Sequence, residues 1–149
     1  MAEEYSFRNL ILWQKAQALT LDIVKLVGAL PNDRTAPVIA RQVVRSASSI
    51  AAIIAEGHGR FTYAAHRNHL SIAKGSACET DGWLDLLRRA GYLTQEAESS
   101  LHATCVELIR MLTAKILDIE RRERAGGRKI REESGAYLVD DILDSEDRF

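Results

Sequence analysis

The chain has 149 residues, of which 46% are hydrophobic and 28% charged, with two prolines and two cysteines. This length favours one domain with a sizeable core, and the composition excludes disordered, collagen-like and disulfide-framework classes. A net charge of −1 argues against a uniformly basic nucleic-acid binder. No window approaches the ~20 apolar residues of a membrane span. The acidic start Met1-Ala2-Glu3-Glu4-Tyr5 is unlike a secretory signal, so a cytoplasmic protein is expected.

From Leu10 to Leu30, Leu12, Ala16, Leu19, Ile23, Leu26 and Leu30 recur at spacings of four and three, with Trp13, Val24 and Val27 widening the stripe. This is the pattern of an amphipathic helix, ended by Pro31-Asn32-Asp33. A second helix is expected from an N-cap at Thr35, with Pro37 in its first turn and Val43, Ala47, Ile50 and Ile54 on its buried face. Gly57-His58-Gly59 reads as its stop. Thr62 caps a third helix, which runs through Leu70, Ala73, Ala77, Leu84 and Leu87 to Ala90, with Gly91 as its terminator. Thr94 caps a fourth, through Leu101, Cys105, Leu108, Leu112, Ile116 and Ile119. Four helices joined by short loops predict an all-α, antiparallel up-down-up-down four-helix bundle over residues 1–120. Cys78 and Cys105 fall inside helical patterns and are expected to be reduced core thiols.

Beyond residue 120 the pattern changes. Residues 121–149 form a charged tail, disordered or partner-binding. A basic stretch, Arg121 to Arg131, precedes an acidic end in which Asp140, Asp141, Asp144, Glu146 and Asp147 surround Tyr137, Leu138, Ile142 and Leu143. An apolar cluster set among carboxylates is the composition of a segment that folds on a partner.

Little in the chain looks catalytic. Glu56 and Glu79 fall on helices expected to be neighbours, where a carboxylate pair is conceivable. The structural expectation is ion pairing, Glu56 with Arg45 or Arg60 and Glu79 with Lys74 or a neighbouring helix. His66 and His69, with His58 nearby, offer imidazoles but lack the Glu-x-x-His pattern of di-metal bundles. Neither cysteine has a Cys-x-x-Cys partner, and Ser48, Ser49 and Ser76 lack an adjacent base. No catalytic residue, metal or cofactor is therefore expected. Gly75-Ser76 in mid-helix points to close packing, within the bundle or between subunits, because glycine there costs ~1 kcal/mol relative to alanine. The charge is uneven: residues 34–74 hold Arg34, Arg41, Arg45, Arg60, Arg67 and Lys74 against Glu56 alone. Arg41, Arg45, Arg60, Arg67 and Lys74 are the candidate contacts for phosphate.

The stretch from Gln42 and Arg45 through Ser46, Ser49, Glu56 and Gly57 to Arg60 resembles the signature of a bacterial family of four-helix-bundle proteins. Some of its members are encoded in intervening sequences of large-subunit ribosomal RNA genes. Trp13-Gln14-Lys15-Ala16 upstream and Lys74-Gly75-Ser76, Glu79 and Gly91-Tyr92-Leu93 downstream extend the resemblance over roughly residues 5–120. Val44 replaces a usual arginine and Ile53 a usual asparagine, and the missing asparagine is expected to leave the polar stripe of Gln42, Ser46, Ser49, Ile53 and Glu56 incomplete. Thr80, Gly82 and Trp83 replace a usual leucine, threonine and glutamine.

The resemblance implies homopentamers. It also implies distant kinship with accessory proteins of the reverse transcriptases of diversity-generating retroelements, whose basic surface helps to hold RNA. The expected function is that of a non-enzymatic, pentameric scaffold binding RNA or a ribonucleoprotein such as a reverse transcriptase complex. The alternative is a protein–protein adaptor acting through Tyr137, Leu138, Ile142 and Leu143 of the tail.

Overall fold

The computed structural model describes residues 6–126. A 3-10 turn at Phe7–Asn9 leads into α1 (Ile11–Gly28), α2 (Ala36–His58), α3 (Tyr63–Arg89) and α4 (Gln95–Arg124). No strand forms among these residues. Cross-helix contacts fix the directions. Arg45 meets Glu79 and Glu56 meets His69 between α2 and α3; Asp81 meets His102 and Arg67 meets Glu123 between α3 and α4. Along each pair one number rises as the other falls, so neighbouring helices are antiparallel, as expected for the bundle.

The helices start and stop for local reasons. Thr62 accepts a hydrogen bond from the amide of Ala65, and Thr94 from that of Ala97, both at 3.2 Å. At the end of α3, Gly91 takes φ +81°, Tyr92 N–H donates to Leu87 O and Gly91 N–H to Arg88 O, a Schellman arrangement that needs a residue free to adopt the left-handed conformation. Thr35 occupies the cap position of α2, but its side chain caps nothing. Asp33 does so instead, its Oδ1 accepting from the amides of Thr35 (2.8 Å) and Ala36 (2.7 Å). The other oxygen of Asp33 accepts from Tyr92 Oη at 2.8 Å, so one carboxylate ties both loops at this end of the bundle.

The core is the expected one: Leu19 and Ile23 from α1, Val43, Ala47, Ile50 and Ile54 from α2, Leu70, Leu84 and Leu87 from α3, and Cys105, Leu108, Leu112 and Ile119 from α4. Val24, expected to widen the α1 stripe, is 46% exposed, and Cys78 is exposed where a core thiol was expected. Cys105 is buried, which pushes its thiol up to about 12. α4 runs four residues past the expected boundary at 120. Arg122 pairs with Asp118 and Arg124 with Glu120 at i,i+4, and cations suit a helix C-terminus.

α2 corrects a further expectation, that no window approaches a membrane span. With a mean hydropathy of 1.4 it is long and apolar enough, by length and composition, to cross a membrane. Alanines flanking the core stripe raise its hydropathy, while 39% of the window is buried in the bundle.

Candidate nucleic-acid interface

Two small junctions hold α2 against α3. In the first, Glu79 accepts from the guanidinium of Arg45 and from Trp83 Nε1 (3.2 Å), while Gln42 Oε1 accepts from Arg45 Nε at 3.2 Å. Gln42 and Glu79 thus hold the guanidinium of Arg45, with Trp83 fixing Glu79 in turn, although 61% of the Arg45 side chain remains exposed. In the second, Glu56 pairs with Arg60, and the ring of His69 bridges them. His69 Nδ1 lies 2.8 Å from Ala65 O, and its Nε2 lies 3.1 Å from Arg60 and 3.3 Å from Glu56. The His69 hydrogen bond, then Arg60, holds the Glu56 carboxyl below the usual range.

Beside the first junction Thr80 lies 2.9 Å from Ser46 Oγ and 2.8 Å from Ser76 O, and Ser46 donates to Val43 O. No buried side-chain polar atom lacks a partner among the described residues. At Ile53, where the resemblance puts an asparagine, an apolar side chain packs against the core and no side-chain hydrogen bond can form.

The carboxylates do not form a pair. Glu56 and the Arg45–Glu79 junction are eleven residues apart on α2, about 16 Å at 1.5 Å per residue. Glu79 pairs with Arg45 of the neighbouring α2, the second of the two partners expected for it. Among the described residues no group of three histidine, cysteine or acidic side chains is placed to hold a metal. His66 instead sits half-buried, its imidazole lowered to about 4 by burial and by the charges of Lys115, His58 and His69.

The basic residues divide over three places. Arg41 and Arg45 stand one turn apart on α2 beside a groove of about 340 Å³ between α1 and α2, floored by Val27, Ala40 and Val44. Arg60 lies at the far end of α2 in the His69 junction. Arg67 pairs with Glu123 across α3 and α4, and Lys74, two turns further on, shares its face of α3. Arg41 and Lys74 form no ion pair among the described residues.

The Gly57-His58-Gly59 stop falls where expected, α2 ending at His58 with Gly59 as its C-cap, and its first glycine is also a point of close packing. Gly57 lies inside α2, buried, where an added Cβ would stand 2.8 Å from His69 Cβ. At Gly75, which is exposed, an added Cβ meets nothing within 4 Å, so contacts within the subunit do not require glycine there. Tyr137, Leu138, Ile142 and Leu143 lie outside the described residues.

These features define an antiparallel helical bundle with two exposed arginines on α2, Arg41 and Arg45, the second held in a side-chain network. The chain belongs to the 23S rRNA-intervening sequence protein family, whose model matches residues 8–114. It is also similar to a solved structure from Bacteroides thetaiotaomicron, a protein of unknown function from the S23 ribosomal protein family. The two share 33% identity with a TM-score of 0.67, over 71% of this chain and 98% of that one. No curated protein matches the chain.

Proposed function

We propose that the protein is a non-enzymatic bundle that assembles with copies of itself, as a pentamer, and binds RNA or a ribonucleoprotein such as a reverse transcriptase complex as an accessory factor. The observation that carries this reading is the Arg41–Arg45 pair. One guanidinium has no ion-pair partner among the described residues. The other is held outward by Gln42 and Glu79, a cost in side-chain freedom that a purely solvated arginine does not bear. The subunit is too nearly neutral to bind phosphate strongly alone, and repetition around a ring multiplies the contacts.

Support for self-association comes from Leu21, Val38, Ile72 and Leu117, each about half exposed on a small bundle. The family's description ties its members to ribosomal RNA genes. Recognition is by backbone and shape, because Phe61 and Tyr63 are the sole aromatics in the basic stretch and Tyr63 is buried.

The test is fluorescence anisotropy of a labelled structured RNA with full-length protein. Arg41→Ala, Arg45→Ala and Arg60→Ala are each expected to weaken binding about tenfold or more when repeated in every subunit. Unchanged affinity in all three refutes the reading.

A further inference from the structure

The groove beside Arg41 and Arg45 does not end at the residues named above. A second depression, of about 270 Å³, shares Val27 and Ala40 with it and continues past Leu30 and Ala36 to Pro31 and Pro37. The two adjoin along the α1–α2 seam: the part beside Arg41 and Arg45 is apolar on its floor and cationic on one rim, and the part beyond it also takes in Asn32. An apolar surface of this kind, bordered by a cation with no ion pair among the described residues, fits a ligand that is itself apolar along one side and acidic along the other.

The chain carries such a segment. Within residues 137–149, Tyr137, Leu138, Val139, Ile142 and Leu143 alternate in blocks with Asp140, Asp141, Asp144, Glu146 and Asp147, and Arg148 is the one cation, a balance of −4. Leu138 and Ile142, like Val139 and Leu143, are four apart, the spacing that places side chains on one side of a helix.

The chain is also long enough. α4 ends near Arg67, with which Glu123 pairs, and the Arg45–Glu79 contact lies twelve residues further along α3, about 18 Å at 1.5 Å per residue. The groove reaches Ala40, five residues further along α2 or about 7–8 Å, so with one helix diameter of about 10 Å sideways roughly 25–30 Å must be covered. Residues 127–137 span up to about 36 Å when extended.

We propose that residues 137–149 dock into the α1–α2 groove of their own chain, the apolar side chains on Val27, Ala40 and Val44 and the carboxylates against Arg41 and Arg45. In that position the segment occupies the phosphate-binding face as an acidic competitor, so RNA must displace it. The docking rests on the groove and the tail; only the competition rests on the function proposed above.

The experiment reads groove coverage without RNA. In the full-length chain, Ala40→Cys places a thiol in the groove, and its rate of modification by N-ethylmaleimide is followed by peptide mass spectrometry. The exposed Cys78 on α3, away from the α1–α2 seam, serves as internal reference. Replacing Leu138, Val139, Ile142 and Leu143 with serine is expected to speed modification of the introduced thiol about tenfold or more, as for an intramolecular contact of high effective concentration, while Cys78 is unchanged. Arg41→Ala and raised salt are expected to speed it too.

Equal rates with and without the four serines overturn the proposal, as does protection that grows with protein concentration, which assigns the cover to a second copy. RNA binding measured on the same variants separates the two ideas. Groove protection with no RNA binding in any variant leaves docking standing and removes the RNA reading. Tighter RNA binding in the serine variant, at equal groove rates, does the reverse.

Discussion

A Cβ built on Gly57 would stand 2.8 Å from His69 Cβ, an atom fixed to the backbone of α3, whereas one built on Gly75 meets nothing. Gly57→Ala must therefore push α2 and α3 apart or distort the His69 junction, and is expected to lower stability by about 1–3 kcal/mol. Gly75→Ala removes a flexible residue from an exposed helix interior and is expected to raise stability by about 0.5–1 kcal/mol. Urea unfolding of the two variants checks both. A neutral Gly57→Ala contradicts the close approach, and a destabilised Gly75→Ala places another subunit against that face.

A second residue-scale consequence concerns pH. His66 titrates near 4 in the folded protein and near 6.5 unfolded, so below pH 6.5 the unfolded chain takes up a proton that the folded one refuses. Its contribution is thus a loss of stability, at most about 3 kcal/mol, as pH falls from 6.5 towards 4. His102, raised by its hydrogen bond to Asp81, acts oppositely: its stabilisation is complete below its unfolded value and fades as pH rises through the folded one. Comparing wild type with His66→Gln isolates the first effect. The variant is expected to show a flatter melting profile between pH 6.5 and 4, and an identical slope would place the His66 ring in solvent.

Among the elements, the loop before α2 shows what side-chain chemistry adds to pattern. Threonine at position 35 is a reasonable cap by type, and the cap does fall there, but its backbone is already helical (φ −100°, ψ −45°) and its hydroxyl makes no cap bond. Asp33 takes the role and at the same time binds Tyr92 from the opposite loop. Its carboxyl is lowered by Ala36, Tyr92 and Thr35 in that order. Asp33→Ala is expected to cost about 0.5–2 kcal/mol and Thr35→Ala close to nothing, read by thermal unfolding. A larger loss at Thr35 would reverse the assignment.

The four helices, their order and their core stripes were legible because apolar spacing of three and four survives in any bundle. Two features were not. Gly57-His58-Gly59 does end α2, at His58 with Gly59 as C-cap, but that Gly57 also admits a close neighbour depends on the position of His69 on the facing helix, which the Gly-His-Gly motif does not record. The Arg45–Glu79 pairing depended on the relative height of α2 and α3, which no spacing within a single helix records.

On the scale of the molecule, the basic residues that cluster in sequence between 34 and 74 are distributed by the fold over a groove, a helix end and a second seam. One subunit therefore presents a short cationic edge and not a broad field. Exposed apolar side chains on several helices supply the surface through which copies would meet, and an assembly would repeat the Arg41–Arg45 edge at regular intervals. The proposed RNA binding depends on that repetition.

The most direct measurement is the salt dependence of RNA binding by full-length protein, plotted as log K against log salt. Five cations from a single subunit would give a slope no steeper than about −3.5 to −4.5, at 0.7–0.9 per phosphate contact. The repeated edge predicts a steeper slope, beyond about −5, that Arg41→Ala and Arg45→Ala each reduce. A slope within the single-subunit range, or no binding at low salt, would contradict it.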